Sequence, residues 1–314
     1  MSGDQATPAQ PGAARALVSV MRIPHWIKNA IVLFPVIFAR RMSDPWAWLA
    51  AAGAAAAFCL VCSGLYIVND IRDIASDRYH PRKKDRPIAS GRLRPRTAAI
   101  AAMILLAAGL ALSAAGGLGV LVAVVAYAAL MLGYSFGLKH KMLLDVIIIA
   151  LGFVLRAAAG ALAIRVEVSG WLIVCTFTIC LFLGFCKRYA EMVAVGDDRQ
   201  ARRHRPTLAG YTRELLTHLI TMAGTVAVIA FLMYSTSPRT VQAFKTPLLA
   251  FTLPLVVYAI FRFAMLSMRG RYADPTDLIL HDRPFQLVMV LWTLMAAVMV
   301  TCGQQIASWL PVAF

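Results

Sequence analysis

Long apolar runs separated by short polar stretches dominate the chain. Eight of these runs are nearly uncharged and each is long enough to cross about 30 Å of hydrocarbon as a helix. A shorter run makes a ninth if it begins at the membrane interface near Trp26. Backbone N–H and C=O groups in lipid must form their hydrogen bonds within their own segment, which favours helices. The period-two alternation of barrel strands is absent from the sequence. We therefore predict an all-α polytopic membrane protein with nine transmembrane helices, at about residues 26–39, 46–68, 97–114, 117–136, 146–164, 169–186, 215–236, 246–266 and 286–310.

The polar segments are too short to form another domain. Residues 1–16 are polar and rich in Ala and Pro, without the basic start and apolar run of a signal peptide. Elsewhere the longest polar stretches span only about 25–30 residues. We predict a disordered cytoplasmic tail over residues 1–20 and a single transmembrane domain over residues 21–314.

Composition and charge set the orientation. Hydrophobic residues make up 60% of the chain, charged residues 15%, and the formal net charge is +16. With the N-terminus inside, 24 of the 31 Lys and Arg residues fall on the cytoplasmic side and five on the opposite side, as the positive-inside rule predicts. We attribute the net charge to topology and to attraction between the protein and anionic membrane lipid, and we expect no nucleic-acid partner. The expected location is the cytoplasmic membrane, with the active site on its cytoplasmic side.

Three aspartates stand at the end of the second apolar run, in the pattern Asn69-Asp70-x-x-Asp73-x-x-x-Asp77. A continuous helix turns about 100° per residue, so it would place the three carboxylates within an arc of about 60°, with Asn69 beside Asp73. Like charges on one face repel, and hard oxygen ligands without His or Cys suit Mg²⁺. We predict that Asp70, Asp73 and Asp77 bind Mg²⁺. The alternative is a solvated helix end whose acids pair with Arg72 and Arg78.

A cationic run follows the aspartates. Residues 82–86 contain four Lys or Arg side chains, whose charges match phosphate oxygens that a metal leaves bare. Pro81 and Pro87 stop helix propagation through this run. A topology signal would explain the cations alone. Beside the aspartates we interpret them as phosphate-binding, with Lys83 and Arg86 as candidate ligands.

The Asp pattern at the cytoplasmic end of the second of nine helices, followed by the basic segment R-P-I-A-S-G, resembles the UbiA superfamily of intramembrane prenyltransferases. The resemblance runs from about residue 20 to the C-terminus. It implies a nine-helix bundle with a central cavity open to the membrane, in which the aspartates hold Mg²⁺ and a diphosphate.

The segment after the sixth span departs from that family's pattern. Family members that alkylate aromatic acceptors carry a second D-x-x-x-D motif there, whereas this chain has Lys187-Arg188-Tyr-Ala-Glu191. Only Glu191, and beyond it Asp197 or Asp198, could supply a carboxylate there, so a second Mg²⁺ is left open. The cationic pair indicates a substrate with an additional phosphate.

One branch of the family is more similar, along nearly the whole chain from Trp26-x-Lys28-Asn29 onwards. Its members transfer 5-phosphoribose from phosphoribosyl diphosphate (PRPP) to the phosphate of a polyprenyl phosphate. The resemblance implies this activity, with the diphosphate of PRPP on Mg²⁺ and its 5-phosphate on Lys187 and Arg188 or on the cations of residues 82–86. The acceptor is already anionic, so positioning and charge stabilisation would carry catalysis. The implied substrate-binding residues are Lys28, Asn69, Lys83, Arg86, Tyr134, Lys139, Lys187, Arg188, Glu191, Arg262 and Asp282.

Arg156 lies roughly eleven residues into the fifth apolar run. A charge inside a membrane span is costly unless it is paired or faces a wet cavity, so a functional role is the default interpretation. We predict that Arg156 faces the cavity as a catalytic residue that meets the acceptor phosphate. The alternative is a structural pair with a carboxylate.

Two other functions compete with phosphoribosyl transfer. The first is a UbiA-type prenyltransferase that uses a prenyl diphosphate donor and an aromatic or other small acceptor; the missing second Asp motif argues against it. The second is a transporter of a phosphorylated solute, against which the chain shows no inverted repeat and no matching pair of broken helices. The polyprenyl chain length and a homo-oligomeric state stay open.

Overall fold

Helices make up all the regular secondary structure in residues 13–79, 83–195, 208, 210–272 and 275–309, which the computed structural model describes. Two 3₁₀ segments, Ile23–Leu33 and Leu248–Thr252, lead into α-helices, and a third, Leu138–His140, lies in a loop. The α-helices are α1 (Ala13–Val20), α2 (Phe34–Phe38), α3 (Pro45–Arg72), α4 (Ile74–Arg78), α5 (Pro95–Ala115), α6 (Leu118–Phe136), α7 (Leu144–Ala163), α8 (Gly170–Val195), α9 (Arg213–Thr236), α10 (Pro238–Phe244), α11 (Leu253–Met268), α12 (Pro275–His281) and α13 (Arg283–Trp309).

Eight of the described helices are long and apolar enough to cross a membrane, and a bent pair makes up to nine. The bent pair consists of residues 14–20 and 23–38, which meet at an angle of 44°. Arg22 stands at the bend in the left-handed backbone region, with φ 54° and ψ 48°, which interrupts the helical path. The predicted all-α membrane bundle is confirmed.

The N-terminal tail predicted to be disordered over residues 1–20 is helical over Ala13–Val20. Ala16 and Val20 lie one turn apart on α1 and are both buried, in a cluster with Ile67 and Ile88. Because this face covers apolar surface at the end of α3, tertiary contact stabilises a helix too short to persist alone. Residues 1–12 lie outside the described part of the chain.

The core is built by successive helices packing side by side. Helix α3 packs along α5, and α6, α7, α8 and α9 pack in sequence, each on the next. The first 3₁₀ segment crosses α7 so closely that a Cβ at Gly160 would lie 2.0 Å from the carbonyl oxygen of Val32. Only glycine permits this approach, which holds the first span against the centre of the bundle.

A cavity of about 620 Å³ lies among the first span and α7, α8, α9, α10, α11 and α13. Apolar side chains dominate its walls, and ten of them are aromatic, including Phe38, Phe231 and Trp292. Its lining reaches Glu167 and Arg239 at the end of the bundle opposite the aspartates. The cavity therefore extends along much of the bundle as an apolar space.

Candidate active site

The Asp motif lies at the end of α3, where the helix breaks. Helix α3 ends at Arg72, Asp73 has φ −88° and ψ 8°, and α4 begins at Ile74. Asp70 and Asp77 are almost completely buried, whereas the Asp73 side chain is 22% exposed. The break divides the predicted continuous stripe of three carboxylates into a buried pair and a separate third group.

Cations surround the buried pair. Arg86 bridges it, with Nη1 3.1 Å from Asp70 Oδ1 and 2.7 Å from Asp77 Oδ2. Arg22 Nη2 donates to Asp70 Oδ1 at 2.6 Å, and Lys83 Nζ lies 3.8 Å from Asp77 Oδ1. Carboxylates this deeply buried need counter-charges, and the three cations supply them.

The sequence reasoning missed Arg22, which it counted only as a topology charge. The bend between α1 and the first 3₁₀ segment carries this side chain to Asp70, 48 residues away along the chain. Its guanidinium also lies 4.9 Å from the centroid of the Tyr66 ring. The role of Arg22 becomes visible only in the folded bundle, where the start of the first span lies beside the Asp motif.

The turn that carries Arg86 is fixed by its own hydrogen bonds. The Arg86 amide donates to the Lys83 carbonyl at 3.0 Å, and the Ser90 amide and hydroxyl both donate to the Arg86 carbonyl. Ile88 anchors the turn in the apolar cluster that also contains Ile67. The segment R-P-I-A-S-G therefore folds into a docked loop that aims Arg86 at the aspartates.

The two buried carboxylates fit a divalent cation that is also held by a phosphate. Mg²⁺ usually binds one or two carboxylates together with substrate phosphate oxygens, and Asp70 and Asp77 converge on a single positive group. Among the described residues, no three His, Cys, Asp or Glu side chains are close enough to share an ion. Two of the three predicted carboxylates therefore converge on a place that fits Mg²⁺, whereas Asp73 pairs with Lys139 beyond the helix break, and its role as a third ligand stays a prediction.

Asp73 forms a second polar group with two residues predicted from the sequence. Lys139 Nζ lies 3.1 and 3.3 Å from its two carboxylate oxygens, and Asn69 Nδ2 donates to Asp73 Oδ2 at 3.2 Å. Lys139 reaches Asp73 from the loop between α6 and α7. Tyr134, also a predicted site residue, lies half-buried in the last turn of α6.

Arg188 is enclosed in an ion-pair cluster rather than presented to a ligand. It is 1% exposed, with Nε 2.8 Å from Asp145 Oδ2 and Nη1 2.5 Å from Glu191 Oε2. Two carboxylates thus occupy the guanidinium, and the prediction that Arg188 contacts a phosphate does not match this arrangement. Glu191 positions Arg188. Lys187 is half-buried in the same helix.

Tyr211 completes this cluster, and the predicted site lacked it. Its hydroxyl donates to Asp145 Oδ1 at 2.9 Å and accepts the Leu143 amide at 2.8 Å. Burial raises the pKa of Tyr211 above its ordinary value, so the hydroxyl stays protonated and can donate.

Arg156 is buried at a distance from the aspartates, in a network of neutral groups. Its guanidinium donates to Asn29 Oδ1 and the Tyr127 hydroxyl at 2.7 Å each, to the Gly152 carbonyl at 3.1 Å and to Cys62 Sγ at 3.3 Å. Cys62 precedes Asp70 by eight residues, or about 12 Å of helix. The structure therefore supports neither the predicted contact with the acceptor phosphate nor the alternative pair with a carboxylate.

The first span docks through residues of the Trp26-x-Lys28-Asn29 motif. Trp26 Nε1 donates to Ser63 Oγ at 3.1 Å, and Asn29 Nδ2 donates to Cys59 Sγ at 3.1 Å. Lys28 lies between them and is partly exposed. This motif attaches the first span to α3.

Arg262 and Asp282 pair with each other. Arg262 Nε and Nη2 donate to the two Asp282 oxygens at 2.6 and 3.0 Å. Asp282 Oδ1 also accepts the Phe285 amide at 2.9 Å, which caps the start of α13. The hydrogen bonds from Arg262 lower the pKa of Asp282. These two predicted substrate-binding residues hold α11 to α13.

The structure thus brings seven of the fifteen predicted site residues into one cluster at one end of the bundle. That cluster contains Asn69, Asp70, Asp73, Asp77, Lys83, Arg86 and Lys139, joined by Arg22. Arg156 and the Arg262–Asp282 pair make their polar contacts outside it. The cluster offers buried carboxylates for a metal and several cations for phosphate oxygens, which suits a diphosphate ester.

Known proteins resemble this chain over most of its length. Residues 30–280 match the UbiA prenyltransferase family. A decaprenyl-phosphate phosphoribosyltransferase from Corynebacterium glutamicum is 31% identical over 283 residues, which cover 89% of this chain and 85% of that protein. A protein of the same name from Mycolicibacterium smegmatis is 33% identical over 288 residues, which cover 88% of this chain and 89% of that protein. The solved structure of a UbiA homolog from Archaeoglobus fulgidus bound to DMAPP and Mg²⁺ has a TM-score of 0.65 at 17% identity, covering 91% of this chain and 99% of that one.

Proposed function

The chain belongs to the UbiA prenyltransferase family, and on that premise we propose that it is a polyprenyl-phosphate phosphoribosyltransferase. It transfers 5-phosphoribose from PRPP to the phosphate of a polyprenyl phosphate and releases diphosphate. The observation that carries this proposal is the identity of 31% and 33%, over nearly the whole chain, to two proteins named decaprenyl-phosphate phosphoribosyltransferase.

The Asp cluster is the proposed site of the PRPP diphosphate. Asp70 and Asp77 would hold Mg²⁺, and Asp73 stays a predicted third ligand that a shift of Lys139 would release. When bound, the metal neutralises the charge that develops on the leaving diphosphate. Arg22 and Arg86 now contact carboxylates, and either side chain is long enough to turn from them to phosphate oxygens.

The extra phosphate of PRPP is proposed to bind the loop cations. Lys83, Arg86 and Lys139 lie around the aspartates and are partly exposed. Arg188 is enclosed between carboxylates, so of the cationic pair only Lys187 stays a prediction for this role. Because the acceptor phosphate is already a nucleophile, these residues need only orient both substrates and stabilise charge.

The apolar cavity is proposed to receive part of the lipid tail. A volume of about 620 Å³ and a largely apolar lining suit a hydrocarbon chain. The protein is integral to the membrane, with helices long enough to cross it. We propose the cytoplasmic membrane, with the Asp cluster on its cytoplasmic side, because 24 of the 31 Lys and Arg residues lie on that side in a nine-span topology. A single transferase domain over residues 21–314 is part of the same proposal.

Three assays on the purified protein separate the proposed function from its two alternatives. Purified protein with Mg²⁺, PRPP and a radiolabelled polyprenyl phosphate should yield a lipid-linked phosphoribose and diphosphate. A prenyltransferase would instead consume a prenyl diphosphate in the presence of an aromatic acceptor. A transporter would move PRPP into vesicles without chemical change, and either result would replace the proposal.

A further inference from the structure

The loop between α6 and α7, residues 137–143, carries Lys139 to Asp73. It begins with a 3₁₀ turn over Leu138–His140 and ends at Leu143, whose φ of 68° and ψ of −46° are unfavourable for a side chain that is not glycine. Strained backbone persists only where its surroundings hold it. The loop therefore needs a contact that fixes Leu143.

Tyr211 supplies that contact from the far side of the loop. Its buried hydroxyl accepts the Leu143 amide at 2.8 Å and donates to Asp145 Oδ1 at 2.9 Å, so both of its hydrogen-bonding directions are used. The preceding residue packs against the same loop, since a Cβ at Gly210 would lie 3.0 Å from Met142 Sδ. The segment at 210–211 thus clamps residues 142–143.

The clamp is itself anchored. Asp145 accepts Tyr211 on one oxygen and lies 2.8 Å from Arg188 Nε on the other. Glu191 holds the opposite side of Arg188 at 2.5 Å. Arg188 is 1% exposed and Tyr211 is 4% exposed, so water does not compete strongly for these contacts.

We infer that Tyr211 is a positioning residue that holds the loop of residues 137–143 and, through it, keeps Lys139 against Asp73. The inference rests on the proposed function, in which Lys139 and Asp73 belong to the donor site. The hydrogen bonds of the Tyr211 hydroxyl go to Leu143 and Asp145. The role requires a hydroxyl that accepts and donates at once, which phenylalanine cannot replace despite its similar shape.

A double-mutant cycle tests whether Tyr211 acts through Lys139. Tyr211→Phe should raise the KM for PRPP by about two- to tenfold, the effect of losing one or two ordinary hydrogen bonds, and leave the KM for the lipid unchanged. Lys139→Ala should raise the PRPP KM further, and the double variant should be no worse than Lys139→Ala. The control is Tyr272→Phe, because the ring of Tyr272 packs against the hydrophobic cluster that contains Tyr211. It should keep the wild-type KM for PRPP. Additive effects of Tyr211→Phe and Lys139→Ala, or an unchanged PRPP KM in Tyr211→Phe, would overturn the inference.

Hydrogen exchange tests the clamp without enzyme activity. In Tyr211→Phe the Leu143 amide loses its acceptor, so residues 137–143 should exchange faster than in the wild type and in Tyr272→Phe. Unchanged exchange there would refute the clamp even if the enzyme is active. If the wild type transfers no phosphoribose but exchange rises as expected, the proposed function fails while the clamp stands.

Discussion

The guanidinium of Arg86 occupies the position where the proposed function places Mg²⁺. Removing the guanidinium therefore tests whether it and Mg²⁺ compete for the same carboxylates. Its Nη1 contacts Asp70 and Asp77 together, at 3.1 and 2.7 Å. In the absence of metal, Arg86→Met removes a positive charge that balances the buried carboxylates of Asp70 and Asp77. We expect the metal-free variant to unfold more easily than the wild type.

The expected loss follows from the burial of the three groups. Removing one partner of a buried ion pair costs about 3–5 kcal/mol. The Arg86 side chain is 27% exposed, and Asp70 keeps Arg22 at 2.6 Å, so we expect about 2 kcal/mol. Mg²⁺ should restore much of this loss in Arg86→Met, because the metal no longer competes with a guanidinium for the same oxygens.

Thermal melting of detergent-purified protein, in EDTA and in Mg²⁺, measures both effects. The Tm gain on adding Mg²⁺ should be larger for Arg86→Met than for the wild type. Arg94→Met is the matched control, since Arg94 is exposed near the same loop and has no ion pair among the described residues. Equal Tm losses with and without Mg²⁺ would refute the idea that Arg86 holds the place of the metal.

Three further outcomes are expected. Asp73→Asn should abolish phosphoribosyl transfer while Tm stays near that of the wild type, and EDTA should inactivate the wild type reversibly; full activity in excess chelator would exclude the metal. Arg156→Met should lower Tm because Asn29 and Tyr127 lose a buried donor, with near-normal specific activity of the folded protein; a normal Tm with lost activity would return Arg156 to the active site. Hydrogen bonds from Arg262 lower the pKa of Asp282 in the folded protein. The ionised Asp282 therefore stabilises the fold above about pH 4. This stabilisation is lost as the pH falls through the lowered pKa. The Tm difference between wild type and Asp282→Asn should therefore shrink on acidification, and a constant difference from pH 7 to pH 3 would contradict this assignment.

Local pattern was enough to predict the bundle and to bring the Asp motif close to the cations that follow it. Apolar runs long enough to cross a bilayer have few alternatives to helix, because the backbone must satisfy its own hydrogen bonds in lipid. The Asp motif and the cations after it are neighbours in sequence, so their proximity follows from chain connectivity. In the structure Asp70 and Asp77 contact Arg86 directly, although the sequence predicted Arg86 as a phosphate ligand.

Tertiary structure decided which charges gather around the Asp motif and which are enclosed with each other. Arg22 and Lys139 reach the Asp motif from 48 and 66 residues away, and Tyr211 reaches Asp145 across 66 residues. Arg188, predicted to bind phosphate, is instead enclosed by Asp145 and Glu191. A charged side chain has the same composition and local spacing whether it binds a substrate or a buried partner. Only the packing of distant helices sets its burial and its counter-charge, and these determine its role.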